Sequence, residues 1–457
     1  MLIRLLRPLG RFTLWIFFRR IDLRSSTNQP PAGPVIFVAN HPNVALDVLL
    51  LACFLPSKNL RFLGKSTLFS NPVFSWLLRG LGVIPVVRSR EGGNGGRNRD
   101  MLRSSCGVLK EGGSLVLFPE GMSHPEPRVL KLKPGASKIA LRASAEGTAG
   151  VTVIPVGLTY TDPELFRGDV FIHIGQEIEV HPYMASYRED RTESERRLTY
   201  RIGTALKELT QHIDNRDLDQ VILDLTTIYG KELATQMPES EKFSQMLGAR
   251  KEISRAAHHF SMTDPRLVRS VSEQLGAHHS TLRHFGIDAT AFPEKKPSTS
   301  LLLLTLLSVP LVLYGFVHNA LPYYLPRLLL RRYAREKEMV ATVKLVSGAI
   351  SFPLVYLIMF SSVYSLTDPE IALVYGLSMP VSGLLTLGFY ERVLHRRSLW
   401  RLLIFPRRRK NQLELLEIER ARIISMLDSL KNRYIEDTSG TDQNEDCTSS
   451  SEQEGNP

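Results

Sequence analysis

The stretch VIFVANHPNVALD, residues 35–47, runs from an apolar segment through a polar turn into a second apolar segment. Its first five residues are all apolar, which favours a buried strand. Asn40-His41-Pro42 follows at the carboxyl end of that strand, where α/β sheets place their ligands. Pro42 suits the first position of a helix, because its missing N–H would have no partner there. The stretch therefore predicts a strand–turn–helix unit with a polar site in the turn.

The same alternation of strands and helices continues along residues 30–185. Further apolar runs that are typical of buried strands occupy residues 83–87, 115–118 and 151–159. Helical patterns occupy residues 44–54, 98–109 and 137–143. Strands that alternate with helices predict an α/β domain with a mainly parallel sheet.

His41 and Asp47 are candidates for a catalytic pair. A spacing of six does not place two side chains on one face of a helix, whereas three or four would. Contact therefore requires His41 to lie outside the helix and to fold back over it. In that arrangement Asp47 would orient the imidazole, and His41 would act as a general base on a hydroxyl group. On this segment alone, a histidine at a helix start beside a solvated aspartate remains an alternative.

Three later segments also place polar residues or a proline at the ends of apolar runs. GVIPVVR ends in Arg88, whose guanidinium is suited to bidentate phosphate binding. In FPEGMSH, Pro119 and Gly121 form a bend that presents Glu120. The fourth segment, VIPVGL at residues 153–158, could form a pocket wall.

In this order, NHPNVALD, GVIPVVR, FPEGMSH and VIPVGL resemble the four motifs of the glycerolipid acyltransferase family, membrane enzymes that acylate glycerol 3-phosphate and lysophosphatidate. The resemblance covers about residues 30–185 and implies a glycerol-3-phosphate acyltransferase-like α/β fold. It also implies that His41 and Asp47 are catalytic. The resemblance further implies that Arg88 binds the acceptor phosphate and that Glu120 and Gly121, with Ser123 beside them, bind substrate. Asn40 is a further substrate-binding candidate. Lys65, Arg90, Lys131 and Lys133 are candidate helpers for phosphate or for an anionic acyl carrier, and a solvated basic surface is the alternative for each of them.

One departure bears on the acceptor. Most members of the family have four residues between the histidine and the aspartate, whereas this chain has five. That spacing resembles the branch of glycerol-3-phosphate/dihydroxyacetone-phosphate acyltransferases. A lysophosphatidate acyltransferase is the alternative, and a non-catalytic membrane scaffold is a remote one, because both His41 and Asp47 are present. The expected donor is acyl-CoA or acyl-carrier protein, and no other cofactor is expected.

Three charge-free stretches near the C-terminus, residues 297–326, 345–367 and 371–390, are long enough for membrane helices. The link between the last two, Asp368-Pro369-Glu370, is acidic, while arginines flank both ends of the pair. The rule that cytoplasmic flanks are basic predicts a hairpin at residues 345–390 with both ends in the cytoplasm. Pro310, Gly315, Pro322 and Pro326 break the apolar pattern of segment 298–326, which predicts a re-entrant or interfacial helix pair there instead of a true span.

These patterns predict an integral membrane protein whose catalytic domain faces the cytoplasm. The predicted regions are an interfacial amphipathic helix at 1–29, the catalytic domain at 30–185, a helical subdomain at 186–297, the membrane region at 298–392, a basic segment with an amphipathic helix at 393–434, and a disordered acidic tail at 435–457. Net charge is +11, but the basic residues flank apolar segments, which indicates membrane phospholipids and not nucleic acid as the partner.

Several other chemistries are excluded. The three cysteines are too scattered for a disulfide framework or a zinc site. No G-x-S-x-G motif occurs, which argues against a serine hydrolase. A group of histidines lies at His258, His259, His278, His279 and His284. No carboxylate or cysteine pattern accompanies that group, so no metal site is predicted. The sequence indicates no oligomeric state.

Overall fold

The computed structural model describes residues 2–26, 33–57, 59–86, 95–126, 128–210, 218–236, 242–284, 299–333, 337–391 and 406–451. Arg88 and Arg90 lie outside these ranges. The chain forms two compact units, one of residues 1–212 and 319–372 and the other of residues 213–318 and 373–457.

The first unit contains a mixed set of strands and helices before its membrane segment. In chain order these are α1 (Leu2–Phe17), β1 (Arg20–Ser25), β2 (Val35–Ala39), α2 (Val44–Phe54), β3 (Leu60–Lys65), α3 (Pro72–Gly80), β4 (Val83–Val86), α4 (Gly95–Lys110), β5 (Ser114–Leu117), α5 (Gly135–Ala145), β6 (Thr152–Tyr160), β7 (Asp169–Ile174), β8 (Ile178–Glu179), α6 (Met184–Glu189) and α7 (Arg191–Leu209).

The strands form one sheet in the order β1-β7-β6-β2-β5-β3-β4, and β8 also pairs with β6. Every pairing is parallel except those of β6 with β7 and β8. The predicted α/β fold with a mainly parallel sheet is therefore confirmed. Because β2 lies between β5 and β6, the carboxyl ends of these three strands meet at one edge of the sheet.

Alternating side chains of β2 enter two apolar cores, one on each face of the sheet. Val35 and Phe37 join the core that contains residues of α1 and α2. Ile36 and Val38 join the core that contains residues of α5 and α7. Residues of α7 join this second core, and the first compact unit continues to residue 212, beyond the predicted boundary at residues 185 and 186, which stays a prediction for the catalytic domain itself.

Helix α1 packs along one side against α2 of the first unit. Leu14 and Phe17 are buried, and the guanidinium groups of Arg7 and Arg11 donate to the carbonyl oxygens of Ala52 and Cys53 at the end of α2. These arginines stabilise a helix C-terminus, where cations are favoured. The opposite side exposes Leu9, Phe12 and Trp15, and whether it lies on a bilayer stays a prediction.

Three apolar helices follow, α11 (Thr299–Tyr333), α12 (Lys337–Tyr364) and α13 (Pro369–Phe389). Within the described residues, segments Thr305–Leu330, Met339–Tyr364 and Pro369–Phe389 are long and apolar enough to cross a membrane. This supports membrane association, while the orientation stays a prediction.

The predicted break of segment 298–326 is wrong, because α11 is one continuous helix of 35 residues. In a regular helix the Pro322 carbonyl would accept from the N–H of residue 326, which is itself a proline. The Ser351 hydroxyl donates to that carbonyl at 3.0 Å and satisfies it from α12. Such side-chain donors allow a helix in an apolar setting to tolerate proline. Whether α11 spans or re-enters stays a prediction.

The second unit contains a helical bundle of α8 (Asp219–Thr235), α9 (Lys242–Thr263), α10 (Pro265–His284) and α14 (Pro406–Ser451). Ile222, Ile253, Leu275 and Leu427 share its core. Helix α14 continues to Ser451, into the tail for which the sequence predicts disorder, and the disorder of residues 435–457 stays a prediction. In this C-terminal part of α14, Asp437 Oδ2 lies 3.2 Å from Nε2 of His259 on α9.

Candidate active site

The turn between β2 and α2 brings His41 and Asp47 together. Helix α2 begins at Val44 with Asn43 as its N-cap, two residues later than the sequence predicted for Pro42. His41 therefore lies outside the helix and folds back over its first turn. Its Nδ1 lies 2.8 Å from Asp47 Oδ2. The predicted contact across a spacing of six is thus present in the structure.

Asp47 is fully buried and held in one orientation. Its Oδ2 also accepts from the backbone N–H of Asn43 at 2.7 Å, and its Oδ1 accepts from the hydroxyl of Tyr160. Burial raises the pKa of Asp47, while the bonds from His41, Tyr160 and Asn43 oppose that rise by favouring the carboxylate. The pKa of Tyr160 lies well above its ordinary value because the phenol is buried beside this carboxylate. Tyr160 therefore remains a proton donor to Asp47.

The His41 ring is fixed from its flat side as well as from Asp47. It stacks on Phe118 with ring centroids 3.8 Å apart and planes inclined by 9°. With Nδ1 engaged by Asp47, Nε2 is the ring nitrogen that remains, and it makes no hydrogen bond within the described ranges. The side chain of His41 is 14% exposed. A partly accessible imidazole held by a buried carboxylate has the geometry of a general base.

Glu120 and His124 form a second buried pair next to this one. The Glu120 carboxylate contacts Nε2 of His124, and the backbone N–H of His124 donates to the carbonyl oxygen of His41 at 3.0 Å. Glu120 Oε1 and His124 Nδ1 are buried and lack a hydrogen-bond partner among the described residues. The loop after β5 is therefore bonded directly to the turn that holds His41.

Gly121 shapes this loop. It has a φ of +72°, a conformation that favours glycine, and a Cβ built there would lie 2.4 Å from Lys133 Nζ. Its N–H donates to the Phe118 carbonyl at 3.1 Å. Ser123 is partly exposed beside it. Their roles in substrate binding stay predictions.

The other predicted substrate contacts lie at the same edge of the sheet. Lys65 is the last residue of β3 and is opposite Val86 of β4, two residues before Arg88. Asn40 uses both ends of its amide to join β2 to β6, donating to the Leu158 carbonyl at 2.9 Å and accepting from the Leu158 N–H at 2.7 Å. Substrate contacts of these residues stay predictions.

Helix α12 contacts the start of helix α2. Asn43 makes no side-chain capping bond, and its amide instead donates to the Pro163 carbonyl at 2.7 Å. The N–H of Ala45 donates to the Thr342 hydroxyl at 3.2 Å, so a residue of α12 satisfies one of the N–H groups at the helix start. The Lys344 ammonium donates to the Glu164 carbonyl at 2.6 Å, in the same loop that Asn43 contacts.

The sequence analysis missed Tyr160 and Thr342. Tyr160 ends β6, so the strand-end argument applied to Arg88 and Glu120 could have found it. Thr342 carries no local signal, because its contact depends on how α12 packs against α2. Among the described residues no group of three or more histidine, cysteine, aspartate or glutamate side chains could hold a metal ion.

Comparisons with known proteins find similarity to acyltransferases over the part of the chain that contains this site. A family model described as Acyltransferase matches residues 20–159. A chloroplastic 1-acyl-sn-glycerol-3-phosphate acyltransferase of Arabidopsis thaliana is 30% identical over 146 residues, which are 32% of this chain and 37% of that protein. Glycerol-3-phosphate O-acyltransferase 1 of Saccharomyces cerevisiae is 23% identical over 275 residues, 54% of this chain and 35% of that protein.

A solved structure is also similar: the 1-acyl-sn-glycerophosphate acyltransferase of Thermotoga maritima is 26% identical, covers 45% of this chain and 79% of that chain, and has a TM-score of 0.33. The chain covers well under half of the two curated relatives, 37% and 35% of their lengths. The matched residues 20–159 contain all four motifs. The resemblance to glycerolipid acyltransferases is therefore confirmed for this region.

Proposed function

We propose that this chain, whose residues 20–159 match the acyltransferase family, is a membrane-bound O-acyltransferase of phospholipid biosynthesis. It moves a fatty acyl group from an acyl thioester to the hydroxyl of glycerol 3-phosphate or dihydroxyacetone phosphate. The observation that carries the proposal is the 2.8 Å contact between His41 Nδ1 and the fully buried Asp47, at the strand edge that also bears Glu120.

In the proposed reaction, Nε2 of His41 removes the proton of the acceptor hydroxyl while its oxygen attacks the thioester carbonyl. The new C–O bond forms, the C–S bond breaks, and the proton passes from His41 to the departing thiolate, so no covalent enzyme intermediate is needed. Asp47 stabilises the imidazolium, and Tyr160 and the Asn43 N–H keep the carboxylate in place. The Gly121 N–H already donates to Phe118, so oxyanion stabilisation falls to other groups.

The acceptor is the finer part of the proposal. The five residues between His41 and Asp47 favour glycerol 3-phosphate or dihydroxyacetone phosphate. Lysophosphatidate is the alternative, because the relatives include 1-acylglycerol-3-phosphate acyltransferases. In both cases Arg88, with Lys65, binds the acceptor phosphate, and Glu120, Gly121, Ser123 and Asn40 shape the acceptor site.

We also propose how the enzyme meets its substrates. The catalytic unit faces the cytoplasm, where acyl-CoA or acyl-carrier protein supplies the acyl group. The exposed side chains of α1, Leu9, Phe12 and Trp15, lie in the headgroup region, and the hairpin of α12 and α13 anchors the unit. The enzyme is thus surrounded by membrane phospholipid, and its lipid product enters the same membrane.

The test is an acyl-transfer assay on membranes that contain the full chain, with each donor paired with each of the three acceptors. Glycerol 3-phosphate should be acylated fastest, and His41→Ala should abolish transfer. A preference for lysophosphatidate would establish the alternative acceptor.

A matched control separates loss of the base from general damage. His181 is exposed in the first unit and lies far along the sequence from the turn, so His181→Gln should retain wild-type activity. Activity that survives His41→Ala would overturn the proposed base.

A further inference from the structure

The helical bundle of the second unit contains a half-enclosed cavity of about 220 Å³ between α8, α9, α10 and α14. Its wall is mainly apolar, with side chains from all four helices, including Leu225, Ile253, Phe260, Val268, Leu427 and Ile435. An apolar cavity of about 150 Å³ stays dry and binds small hydrocarbons. This cavity is therefore large enough for part of a hydrocarbon chain and offers water few polar partners.

The cavity also has a charged group at its rim. Lys431 of α14 lines it, and its ammonium donates to the neutral amide oxygen of Gln236 at 2.5 Å. In the part of the chain that the structure describes, no carboxylate lies within ion-pair distance of Lys431. Glu252 is the one acidic side chain among the lining residues. Its Oε1 lies 2.6 Å from Nη1 of Arg255, so its charge is already paired.

The two lining tyrosines make contacts of their own within the bundle. The Tyr229 hydroxyl donates to Asp428 at 2.5 Å. The Tyr434 ring packs against His259 and Phe260. Lys431 is therefore the cationic group that could meet a ligand, next to a wall that favours hydrocarbon. An apolar pocket with a single convergent charge is the usual pattern of a small-molecule site.

We propose that this bundle binds a single-chain anionic lipid, with its hydrocarbon chain in the cavity and its head at Lys431. The head is a carboxylate or a phosphate, as in a free fatty acid or a lysophosphatidate. The inference rests on residues of the second unit alone, and it does not depend on the proposed acyl transfer.

Photolabelling of the full chain in phosphatidylcholine nanodiscs tests the proposal. The probe is a palmitate analogue with a diazirine in its chain, and the labelled peptides are mapped by mass spectrometry. Label should fall on α9, α10 and α14 and should decrease at least tenfold with excess palmitate. A parallel competition with lysophosphatidate distinguishes a phosphate head from a carboxylate head, and uncharged hexadecanol should compete at least fivefold less well. Label confined to α11, α12 and α13 would overturn the proposal.

Two variants separate the chain site from the head site. Ala257→Phe fills the cavity from α9 and should remove at least nine-tenths of the label, and Val268→Phe makes the same test from α10. Lys431→Gln should remove the advantage of palmitate over hexadecanol, whereas Lys231→Gln, on α8 outside the wall, should preserve it. A filled variant that is more thermostable and still fully labelled would show that the cavity is only a packing defect. His41→Ala should label normally, so the outcome is independent of catalysis.

Discussion

Two histidine–carboxylate pairs in this molecule have opposite burial. In the first unit, His41 Nδ1 lies 2.8 Å from Asp47 Oδ2. The Asp47 side chain is fully buried, whereas the His41 side chain is 14% exposed. In the second unit His278 is 1% exposed, and Glu419, whose Oε2 lies 3.4 Å from Nδ1, is 43% exposed. A buried carboxylate orients an accessible imidazole for proton transfer. A buried imidazole beside a solvated carboxylate serves packing, and burial lowers the pKa of His278.

The largest difference between the pairs should appear when each carboxylate is replaced by its amide. Asp47→Asn should lower kcat by about 10³- to 10⁴-fold, because an amide neither fixes the histidine tautomer nor stabilises its cation. Glu419→Gln should leave kcat within about twofold, since it acts outside the site. Steady-state assays on membranes with matched protein amounts measure both. An Asp47→Asn enzyme within tenfold of wild type would contradict the assignment.

The next effect concerns the phenol that holds Asp47. Tyr160→Phe should lower kcat by about tenfold, because it removes one charge-assisted hydrogen bond to the carboxylate. That bond lowers the pKa of Asp47, so its loss raises the pKa further and shifts the acidic limb of the pH–rate profile to higher pH. The measurement is kcat/KM across the pH range of activity.

Tyr229 provides the matched control, because its hydroxyl also donates to a carboxylate, Asp428, at 2.5 Å. Tyr229→Phe should leave the pH profile of acyl transfer unchanged. Equal shifts in the two variants would mean that the Tyr160 effect is not specific to the site.

A smaller effect should come from the membrane helix. Thr342→Val removes the acceptor for the Ala45 N–H, and loss of a helix cap costs about 1 kcal/mol. If the first turn of α2 loosens to that extent, kcat should fall about fivefold with KM unchanged. Thr342→Ser should restore wild-type kcat. A change in KM alone would show that Thr342 acts on substrate and not on the turn.

The smallest effect is on local stability. The pKa of His278 is lowered by burial, with Glu419 opposing and His279 and Arg420 assisting. The pKa of His278 in the folded state thus lies below the unfolded value of about 6.5. The stability that comes from burying the neutral imidazole is therefore present above about pH 6.5 and is lost as pH falls through the folded pKa. The protection factors of α10 amides, which are ratios of intrinsic to observed exchange rate and so correct for the intrinsic pH dependence of exchange, should therefore fall between about pH 7 and 5 in wild type, and His278→Gln should flatten that change. An unchanged slope in the variant would exclude His278 as the cause.

The residues that sequence could place are those whose signal is local. Val35 to Ala39, the turn at His41 and the bend at Gly121 each combine apolar pattern with turn chemistry over a few residues. Strand β3 was missed because Arg61 and Lys65 interrupt its apolar run. Strand β1 was missed because its partner β7 begins 149 positions later, with Arg20 opposite Asp169.

The differences between prediction and structure in the C-terminal half have the same origin. Prolines within α11 predicted a break, but the compensating donor, Ser351, lies on another helix. The acidic composition after residue 434 predicted disorder, but Asp437 contacts His259 far away in sequence. Tyr160 and Thr342 contribute to the site through contacts of the same kind. Composition shows that a proline or an acidic run disfavours regular structure, but the residues that compensate for it come from distant parts of the chain and are visible only in the tertiary packing.

The contact between α12 and α2 sets an order for biosynthesis. Every strand of the sheet is synthesised before α12, but Ala341 of α12 belongs to the same apolar core as Leu46 and Leu50 of α2. Until translation passes residue 342, the start of α2 lacks its cap from α12. The turn that holds His41 is therefore completed only after α12 has been synthesised, and a fragment that ends after α7 would lack both the packing of Ala341 and the cap from Thr342.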